Sequence, residues 1–444
     1  MAYYDKKYCI VTYGCQMNIH ESEKLGGILA EMGFTAVNDV KLADIVVFNT
    51  CCIRENAEKR AEGNIGALKK LKHAKSDMII AVGGCMTQQK GYAEKLTDKF
   101  PFVDIVFGTH NLEDFKDFIV RRLEDKKHVI SVSDGDNRIK EGTPKLRSSF
   151  PNGWVNVNYG CNNFCSYCIV PYVRGREKSR DMGAILSECQ ELVDAGYKEI
   201  TLLGQNVNSY GKDLGNADFA DLIEKVSAIE GDFRLRFMTN HPKDLSEKLI
   251  AAVAKSDKTC KSIHLPVQAG SNRILKLMNR HYTREDYLKE VELLRKYIPD
   301  IAISTDIMVG FPTETESDFE DTLDLVRQVK FAGAFTFVFS PRKGTPAATM
   351  DGQIPSEISK RRIIRLIDTQ NAENRRQSKA YLNRTIEILC EGFDSRKGKY
   401  LGRDTYGRMA YFDGKTNLIG KFVKVKITKT GGISLMGEVA DIGE

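Results

Sequence analysis

The sequence predicts an α/β protein in three segments: an N-terminal open parallel α/β sheet, a central partial or complete parallel (β/α) barrel, and a small C-terminal all-β barrel. Short β-branched runs alternate with helical patterns over residues 8–125 and again over 154–339. Such alternation is typical of parallel strands connected by helices. Beyond residue 384 the β runs are separated by glycine-containing turns, without a helical pattern. A chain of 444 residues is long enough to form several cores.

The first segment is predicted to contain four strands, each followed by a helical pattern. The strands lie at residues 8–13, 43–49, 78–82 and 103–107, and the clearest helices at 21–32 and 54–71. The polar stretch 126–149 contains Gly135, Gly142 and Pro144 and is predicted to be a linker. We therefore place the first domain at residues 1–130.

The second segment is predicted to hold six parallel strands, enough for a partial or complete (β/α) barrel. They are placed at residues 154–158, 199–203, 234–238, 262–265, 302–308 and 335–339, with amphipathic helices such as 182–195 and 318–330 between them. A basic amphipathic helix at 359–381 follows, with Ile363, Leu366 and Ile367 expected on its buried face. We place this second domain at residues 147–378.

The third domain, residues 379–444, is predicted to be a small all-β barrel with strands at 385–390, 408–412, 422–427 and 434–439. Its cations suit RNA phosphates, and its tyrosines suit stacking on bases. They are Arg384, Arg396, Lys397, Lys399, Arg403, Arg408, Lys415, Tyr400, Tyr406 and Tyr411. Acidic residues are also present, and the net charge of +6 fits an RNA partner without requiring one.

The chain is expected to be cytoplasmic, without a membrane or DNA partner. Charges interrupt every apolar run well before the ~18 residues of a membrane span, and the first residues contain no apolar signal-peptide core. Thiols stay reduced in the cytoplasm, so the 11 cysteines are not expected to form disulfides. Metal or catalytic roles are the better interpretation of any clustered subset.

The most specific pattern is a cysteine loop after the first barrel strand. Cys161, Cys165 and Cys168 are spaced C-x3-C-x2-C. Thiolates are the preferred ligands of iron–sulfur clusters, which usually have four of them. Three local cysteines would leave one iron open for a substrate or cofactor. A zinc site is disfavoured, because structural zinc takes four ligands and favours C-x2-C pairs.

A second set of cysteines is dispersed along the first segment. Cys15, Cys51 and Cys85 each follow a predicted strand, and the carboxyl ends of parallel strands share one edge of a sheet. A lone cysteine is more often a small buried hydrophobe, but three in equivalent positions favour a second three-thiolate cluster. Cys52 could substitute for Cys51. The remaining cysteines are assigned to packing: Cys9, Cys189, Cys260 and Cys390.

Together these motifs resemble the methylthiotransferase family of radical S-adenosylmethionine (SAM) enzymes, over nearly the whole chain. The matching motifs are residues 13–18, 49–51, 84–86, 161–168 and 169–176. The resemblance implies an N-terminal domain with an auxiliary cluster, a radical-SAM core barrel and a C-terminal RNA-binding TRAM barrel. Residues 14–18 and 52–57 are most similar to the subgroup that acts on N6-dimethylallyladenosine in tRNA. One departure is Cys52, where that subgroup often has serine.

The resemblance also implies the cofactors and the chemistry. The metal ligands would be Cys15, Cys51 and Cys85 for one 4Fe–4S cluster and Cys161, Cys165 and Cys168 for the other. Two SAM molecules would be used per turnover, one for the methyl group and one for the radical that attacks carbon 2 of the adenine. The partners would be the anticodon stem-loop of tRNA and an electron donor such as flavodoxin or ferredoxin.

Contacts to SAM and RNA are assigned by position. Tyr167, between two cluster cysteines, is expected beside the SAM adenine, as in the superfamily. The other candidate SAM contacts, at predicted strand ends, are Gln205, Gln268, Ser271 and Asp306. The basic stretch with Arg174, Arg176, Lys178 and Arg180 follows the cluster loop, and Arg174 and Arg176 are the candidate substrate contacts. For the strand-end residues the alternative is simple hydrogen bonding at the barrel mouth.

Three alternatives stay open at this point. Within the family, the substrate could be threonylcarbamoyl-adenosine in tRNA or a ribosomal protein. In a different class, the chain could be a non-catalytic iron–sulfur protein that binds RNA and senses redox state. A sensing cluster has no need of an open iron, so the three-cysteine loop favours the enzyme.

Overall fold

The computed structural model describes residues 3, 5–52, 55–133 and 139–442. The linker's Gly135 and residues 53–54 of the second cysteine motif lie outside the described residues. The chain divides into two compact units. Unit 1 comprises residues 1–148, 158–162 and 168–180, and unit 2 comprises residues 149–157, 163–167 and 181–444. None of the helices in the described ranges is long and apolar enough to cross a membrane.

Unit 1 is built on a six-stranded, fully parallel sheet with the order β2-β1-β3-β4-β5-β6. Its strands are β1 (Lys7–Thr12), β2 (Thr35–Ala36), β3 (Ile45–Thr50), β4 (Ile79–Gly84), β5 (Ile105–Phe107) and β6 (Val129–Ser131). Its first five helices are α1 (Gln16–Glu31), α2 (Glu55–Ala67), α3 (Lys69–Ala74), α4 (Tyr92–Lys99) and α5 (Phe115–Asp125). The predicted open parallel sheet is confirmed.

Both faces of this sheet are buried, which explains the continuous apolar runs of its central strands. In β3, Val46 and Phe48 face one core, whereas Ile45 and Val47 face the other. Every residue of β3 and β4 is buried.

The predicted linker is only partly irregular. Its residues Val129–Ser131 form β6, because they pair in parallel with β5 at the sheet edge. Farther along, the Leu146 amide donates to the Glu23 carbonyl of α1, and Arg147 pairs with the buried Glu23 carboxylate at 3.0 Å. The second part of this polar stretch is therefore held against α1.

The chain then forms β7 (Asn152–Asn156) of unit 2 and continues in unit 1 as β8 (Asn158–Tyr159), α6 (Val170–Arg174) and β9 (Lys178–Ser179). Strands β8 and β9 form an antiparallel pair.

Unit 2 contains a partial barrel made of two three-stranded parallel sheets, β7-β10-β11 and β12-β13-β14. An isolated parallel bridge joins Leu235 of one sheet to Thr259, three residues before the first strand of the other. The strands are β10 (Glu199–Leu203), β11 (Arg234–Phe237), β12 (Ser262–His264), β13 (Ala302–Val309) and β14 (Gly333–Val338). The helices are α7 (Met182–Asp194), α8 (Phe219–Ser227), α9 (Glu247–Lys255), α10 (Asn272–Leu277), α11 (Arg284–Tyr297) and α12 (Glu316–Val329). All six predicted strands are present, in sequence order.

Helix α13 (Ser356–Ser378) corresponds to the predicted basic helix, but its buried stripe differs from the prediction. Leu366 is buried, whereas Ile367 is 39% exposed. Most of the stripe is polar. Arg362 donates to Glu314, and Gln370 donates to the Phe331 carbonyl, both within unit 2.

The C-terminal segment is a closed five-stranded barrel with the order β15-β16-β17-β19-β18. Its strands are β15 (Thr385–Asp394), β16 (Lys399–Arg403), β17 (Met409–Asp413), β18 (Phe422–Thr430) and β19 (Ser434–Ile442). The all-β prediction is confirmed, and β16 is the strand that the sequence pattern missed.

Candidate functional site

Cys15, Cys51 and Cys85 stand at one edge of the unit 1 sheet. Cys51 and Cys85 directly follow β3 and β4, and Cys15 precedes α1, three residues after β1. These three strands are adjacent in the sheet, so the structure places the cysteines at neighbouring strand ends. Cys51 and Cys85 are buried, and Cys15 is exposed.

Two asparagines fix the backbone at this edge. The Asn18 amide donates to the Thr50 carbonyl at 2.9 Å, and the Asn49 amide donates to the Asn18 carbonyl at 2.8 Å. The Cys15 thiol donates to Asn18 Oδ1 at 3.6 Å. The loops after β1 and β3 are therefore held together by these side chains.

Glycine is required in two of these loops. At Gly14, with φ +111°, an added Cβ would lie 2.7 Å from Cys51 Cβ. At Gly84, with φ +102°, it would lie 2.5 Å from the Thr50 carbonyl oxygen. A side chain at either position would force the cysteine loops apart.

Cys85 lies beside two groups that favour its thiolate. The Cys52 thiol donates to it, and Arg174 Nε donates to its Sγ at 3.2 Å. These contacts outweigh burial and lower the pKa of Cys85 to about 7. The pKa of Cys52 is raised, because it is the donor of this thiol pair and is itself desolvated. Sequence reasoning did not indicate the bond between Cys52 and Cys85.

The donor set at this edge has the chemistry that an iron–sulfur cluster requires. Within the described ranges, no three His, Cys, Asp or Glu side chains are gathered closely enough to hold one ion. A four-iron cluster distributes its thiolate ligands over different irons. The soft, sulfur-only chemistry of the three cysteines matches that requirement.

The flanks of the C-x3-C-x2-C loop are fixed within unit 1. The Cys161 amide donates to the Gly175 carbonyl at 3.2 Å, next to the paired strands β8 and β9. Gly160 has φ +73°, and a Cβ there would lie 2.1 Å from the Arg176 carbonyl oxygen. Cys161 and Cys168 are partly buried.

The middle of the loop is fixed within unit 2. The Ser166 hydroxyl donates to the Leu277 carbonyl at 2.8 Å, and the Asn279 amide donates to the Phe164 carbonyl at 3.0 Å. Arg280 Nη1 donates to Cys165 Sγ at 3.3 Å. Sequence reasoning missed Arg280, because a single arginine in a loop carries no pattern.

The candidate SAM contacts fall into two groups. Gln205 and Gln268 follow β10 and β12, and Tyr167 packs on the barrel core. Asp306 lies within β13, where its Oδ1 is 3.5 Å from His264 Nε2. Ser271 differs, because its buried hydroxyl donates to Asp318 Oδ1 at 2.5 Å in a network at the start of α12.

Glu314 is a further buried acid at the end of β13 that the sequence reasoning did not single out. It accepts from the Gly310 amide at 2.7 Å and pairs with Arg362 at 2.8 Å. Burial raises the pKa of Glu314 despite this arginine. The carboxylate fixes the turn that contains Gly310.

The basic stretch after the loop alternates between buried and exposed side chains. Arg174 pairs with Glu21 at 2.5 Å, and Arg180 pairs with Glu141 at 2.6 Å; both arginines are buried. Arg176 and Lys178 are exposed. Arg174 thus bonds to Glu21 and Cys85 within unit 1. A phosphate contact is proposed below for Arg176.

Buried ion pairs attach the C-terminal barrel to the partial barrel inside unit 2. Glu199, the first residue of β10, accepts from Arg236 and from Arg403 of β16, each at 3.0 Å. Arg234, the first residue of β11, donates to the Arg403 carbonyl and to Glu387. The C-terminal barrel is therefore attached at the amino ends of β10 and β11, opposite to the edge that carries the cysteine loop.

This attachment separates the predicted RNA-binding cations into two groups. Arg403 and Arg408 are held within unit 2, and Arg408 lies over the Tyr381 ring at 5.6 Å. Arg396 and Lys397 are exposed in the turn between β15 and β16, where Lys397 lies 3.6 Å above the Tyr411 ring. The exposed turn, defined here as residues 393–399, thus combines cations with aromatic side chains.

Comparison with known families assigns each part of the chain. The radical SAM superfamily matches residues 155–326, the uncharacterized protein family UPF0004 matches residues 7–108, and the TRAM domain matches residues 379–440. Membership of the radical SAM superfamily implies a 4Fe–4S cluster and SAM as cofactors.

Two solved structures share the fold. The chain is similar to the radical S-adenosylmethionine methyltransferase TsrM from Kitasatospora setae, with a TM-score of 0.59 and 15% identity, covering 78% of this chain and 77% of that one. It is also similar to the cobalamin-dependent S-adenosylmethionine radical enzyme OxsB, with a TM-score of 0.54 and 13% identity, covering 82% and 56%.

Several relatives that share one name match this chain over almost its full length. The tRNA-2-methylthio-N(6)-dimethylallyladenosine synthase of Clostridium tetani is 52% identical, over 97% of this chain and 96% of the relative. Those of Caldicellulosiruptor saccharolyticus and Acetivibrio thermocellus are 51% and 50% identical, over 98% of this chain and 93% and 91% of theirs. With this identity across all three segments, the chain belongs to the tRNA-2-methylthio-N(6)-dimethylallyladenosine synthase family of radical-SAM methylthiotransferases.

Proposed function

We propose that this protein attaches a methylthio group to carbon 2 of N6-dimethylallyladenosine in the anticodon loop of tRNA, using two 4Fe–4S clusters and two SAM molecules per turnover. The observation that carries the proposal is the pairing of two separate three-cysteine sets in one chain. One set is the C-x3-C-x2-C loop, and the other stands at the ends of β1, β3 and β4. The full-length likeness to named synthases supports the same substrate.

Cys161, Cys165 and Cys168 would hold the cluster that binds SAM. Three thiolates would leave one iron without a protein ligand, as the coordination site for SAM. When bound, the cluster and SAM supply the radical chemistry that an unactivated aromatic C–H bond requires. The protein holds the loop in place through Ser166 and Asn279.

Cys15, Cys51 and Cys85 would hold the second cluster, which is associated with the transferred sulfur. Cys52 is the alternative ligand, because its thiol bonds to Cys85. Iron analysis of Cys51→Ala and Cys52→Ala separates the two assignments. If Cys51 is the ligand, only the first variant loses the iron of this cluster.

The RNA would be bound by the exposed turn of the C-terminal barrel and by Arg176. Cations bind phosphates and give affinity that falls with salt, whereas aromatic rings stack on unpaired bases. The target adenosine lies in a single-stranded loop, where leaving the stack costs less than in a duplex. The electron donor would be a small reducing protein such as flavodoxin or ferredoxin.

Two measurements test the proposal. Anaerobically reconstituted protein should contain about eight irons per chain, four for each cysteine-only site. With SAM, dithionite and tRNA carrying dimethylallyl-adenosine, it should form the methylthio nucleoside, detected by mass spectrometry. Product only on threonylcarbamoyl-adenosine or on a ribosomal protein would establish one of the other substrates. Bound RNA and intact clusters without any SAM cleavage would establish the redox sensor instead.

A further inference from the structure

In each of the two cysteine sets, a buried arginine donates to the sulfur of one cysteine. In unit 1, Arg174 Nε donates to Cys85 Sγ at 3.2 Å. In unit 2, Arg280 Nη1 donates to Cys165 Sγ at 3.3 Å. Arg174 is 5% exposed and Arg280 is 4% exposed.

The two arginines differ in how their charge is balanced. Arg174 is neutralised by Glu21, which accepts from Nη1 at 2.5 Å and from Nη2 at 3.1 Å. Glu21 is itself buried, so solvent does not weaken this pair.

Arg280 bonds to neutral oxygens instead. Its Nη2 donates to the Pro266 carbonyl at 2.9 Å, and its Nε donates to Tyr282 Oη at 3.0 Å. In the described part of the chain it forms no salt bridge with a carboxylate. A second cation lies close to the same loop, since Lys243 donates to Asn163 Oδ1 at 2.6 Å.

The difference in charge balance between Arg174 and Arg280 affects the reduction potentials of the two clusters. Adding an electron makes a cluster and its thiolates more negative. An N–H donor and a positive charge beside a ligand sulfur stabilise that reduced state and raise the potential. A carboxylate paired with the cation cancels much of the charge effect. In the low-dielectric protein interior, a charge that is not neutralised interacts strongly with the cluster.

We propose that Arg280 and the Arg174–Glu21 pair are positioning residues that order the two potentials, so that the Cys161–Cys168 cluster is reduced before the Cys15–Cys85 cluster. The proposal rests on the two-cluster function proposed above. One electron from an external reductant such as dithionite would then enter the cluster that binds SAM. The cluster associated with sulfur stays oxidised at the same potential.

The test is a potentiometric dithionite titration of the reconstituted full-length protein, followed by electron paramagnetic resonance. A variant with Cys15, Cys51 and Cys85 changed to Ala retains only the loop cluster and assigns its signal. Arg280→Gln should lower the potential of the loop cluster by at least 59 mV. For a one-electron couple this corresponds to a tenfold change in the reduction equilibrium. Arg280→Lys keeps the charge and should shift it less.

Two further variants complete the design. Glu21→Gln removes the neutralising carboxylate and should raise the potential of the other cluster, leaving the loop cluster unchanged. Lys276→Gln is the matched control, because it removes an exposed charge four residues from Arg280 and should change neither potential. Iron content and far-UV circular dichroism verify that each variant is loaded and folded.

The outcomes are distinct from those of the proposed function. The inference is overturned if the loop cluster is reduced second in the unmodified protein, or if Glu21→Gln leaves both potentials unchanged. A loaded Arg280→Gln variant with an unaltered loop potential would also overturn it. Should Arg280→Gln fail to bind iron, Arg280→Lys and Glu21→Gln still decide the question. Failure to form the methylthio nucleoside, with the potentials ordered as stated, would refute the proposed function alone.

Discussion

The attachment of the C-terminal barrel should depend on the buried carboxylate of Glu199. Its side chain is 1% exposed and accepts from Arg236 and Arg403, which are 7% and 24% exposed. Glu199→Gln keeps the shape but leaves two guanidinium groups without their shared counter-ion. Breaking a buried ion pair from one side costs about 3–5 kcal/mol. We expect the lower end of that range, about 3 kcal/mol, because the amide keeps one oxygen acceptor and Arg403 is partly solvated.

Thermal unfolding of the anaerobic protein at pH 7, followed by circular dichroism, measures this loss. At roughly 2–4 °C per kcal/mol for a domain of this size, the midpoint should fall by about 6–12 °C. Glu387→Gln is the matched control, because Glu387 pairs with Arg234 but is 57% exposed. An exposed pair contributes about 0–1 kcal/mol, so this variant should lose less than about 4 °C.

The pH dependence provides a second check. Burial opposes ionisation of Glu199, but attraction to Arg236 and Arg403 outweighs it and lowers the pKa. Its stabilisation is therefore complete above the unfolded value of about 4.3 and is lost as the pH falls through the lower folded value. The difference between the protein and Glu199→Gln should shrink below about pH 4. Equal midpoint losses for Glu199→Gln and Glu387→Gln, or a difference that persists in acid, would show that the buried carboxylate does not hold the C-terminal barrel.

Three other predictions concern the clusters and RNA. Cys161→Ala should abolish both SAM cleavage and the methylthio product, whereas Cys85→Ala should retain some reductive SAM cleavage without product; normal product from the latter would contradict the assignment. Iron analysis should find about half of the metal in a variant lacking all three loop cysteines, since each site holds four irons. Changing Arg396 and Lys397 to Gln should weaken tRNA binding and reduce the salt slope by about 1.4, or about 0.7 for each phosphate contact. Lys289→Gln, an exposed change in α11, should leave the slope unaltered, and equal slopes for all variants would place RNA recognition elsewhere.

The sequence was sufficient to predict the parallel sheets and the cysteine positions, because both follow from strand order. Strands 78–82 and 103–107 were recognisable from their apolar runs, and Cys51 and Cys85 directly follow the observed β3 and β4. Strand β6 was missed because Val129–Ser131 is a three-residue edge strand within a polar stretch. Its existence depends on pairing with β5, which no local pattern contains.

Long-range side-chain contacts were the other missing part. Arg174 belongs to a basic run that suggested RNA, yet the structure pairs it with Glu21, 153 residues earlier. The bond between Arg280 and Cys165 spans 115 residues. A periodic pattern reports which face of an element is buried, but it does not report which charged groups meet in the folded chain.

We propose above that this chain transfers a methylthio group to dimethylallyl-adenosine in tRNA. The most direct test of this proposal incubates reconstituted protein anaerobically with SAM, dithionite and tRNA that carries the dimethylallyl group, followed by mass spectrometry of the digested nucleosides. We expect the 2-methylthio nucleoside to form with the unmodified protein and to be absent with both Cys161→Ala and Cys85→Ala. Unchanged dimethylallyl-adenosine, from protein that holds both clusters and cleaves SAM, would contradict the claim.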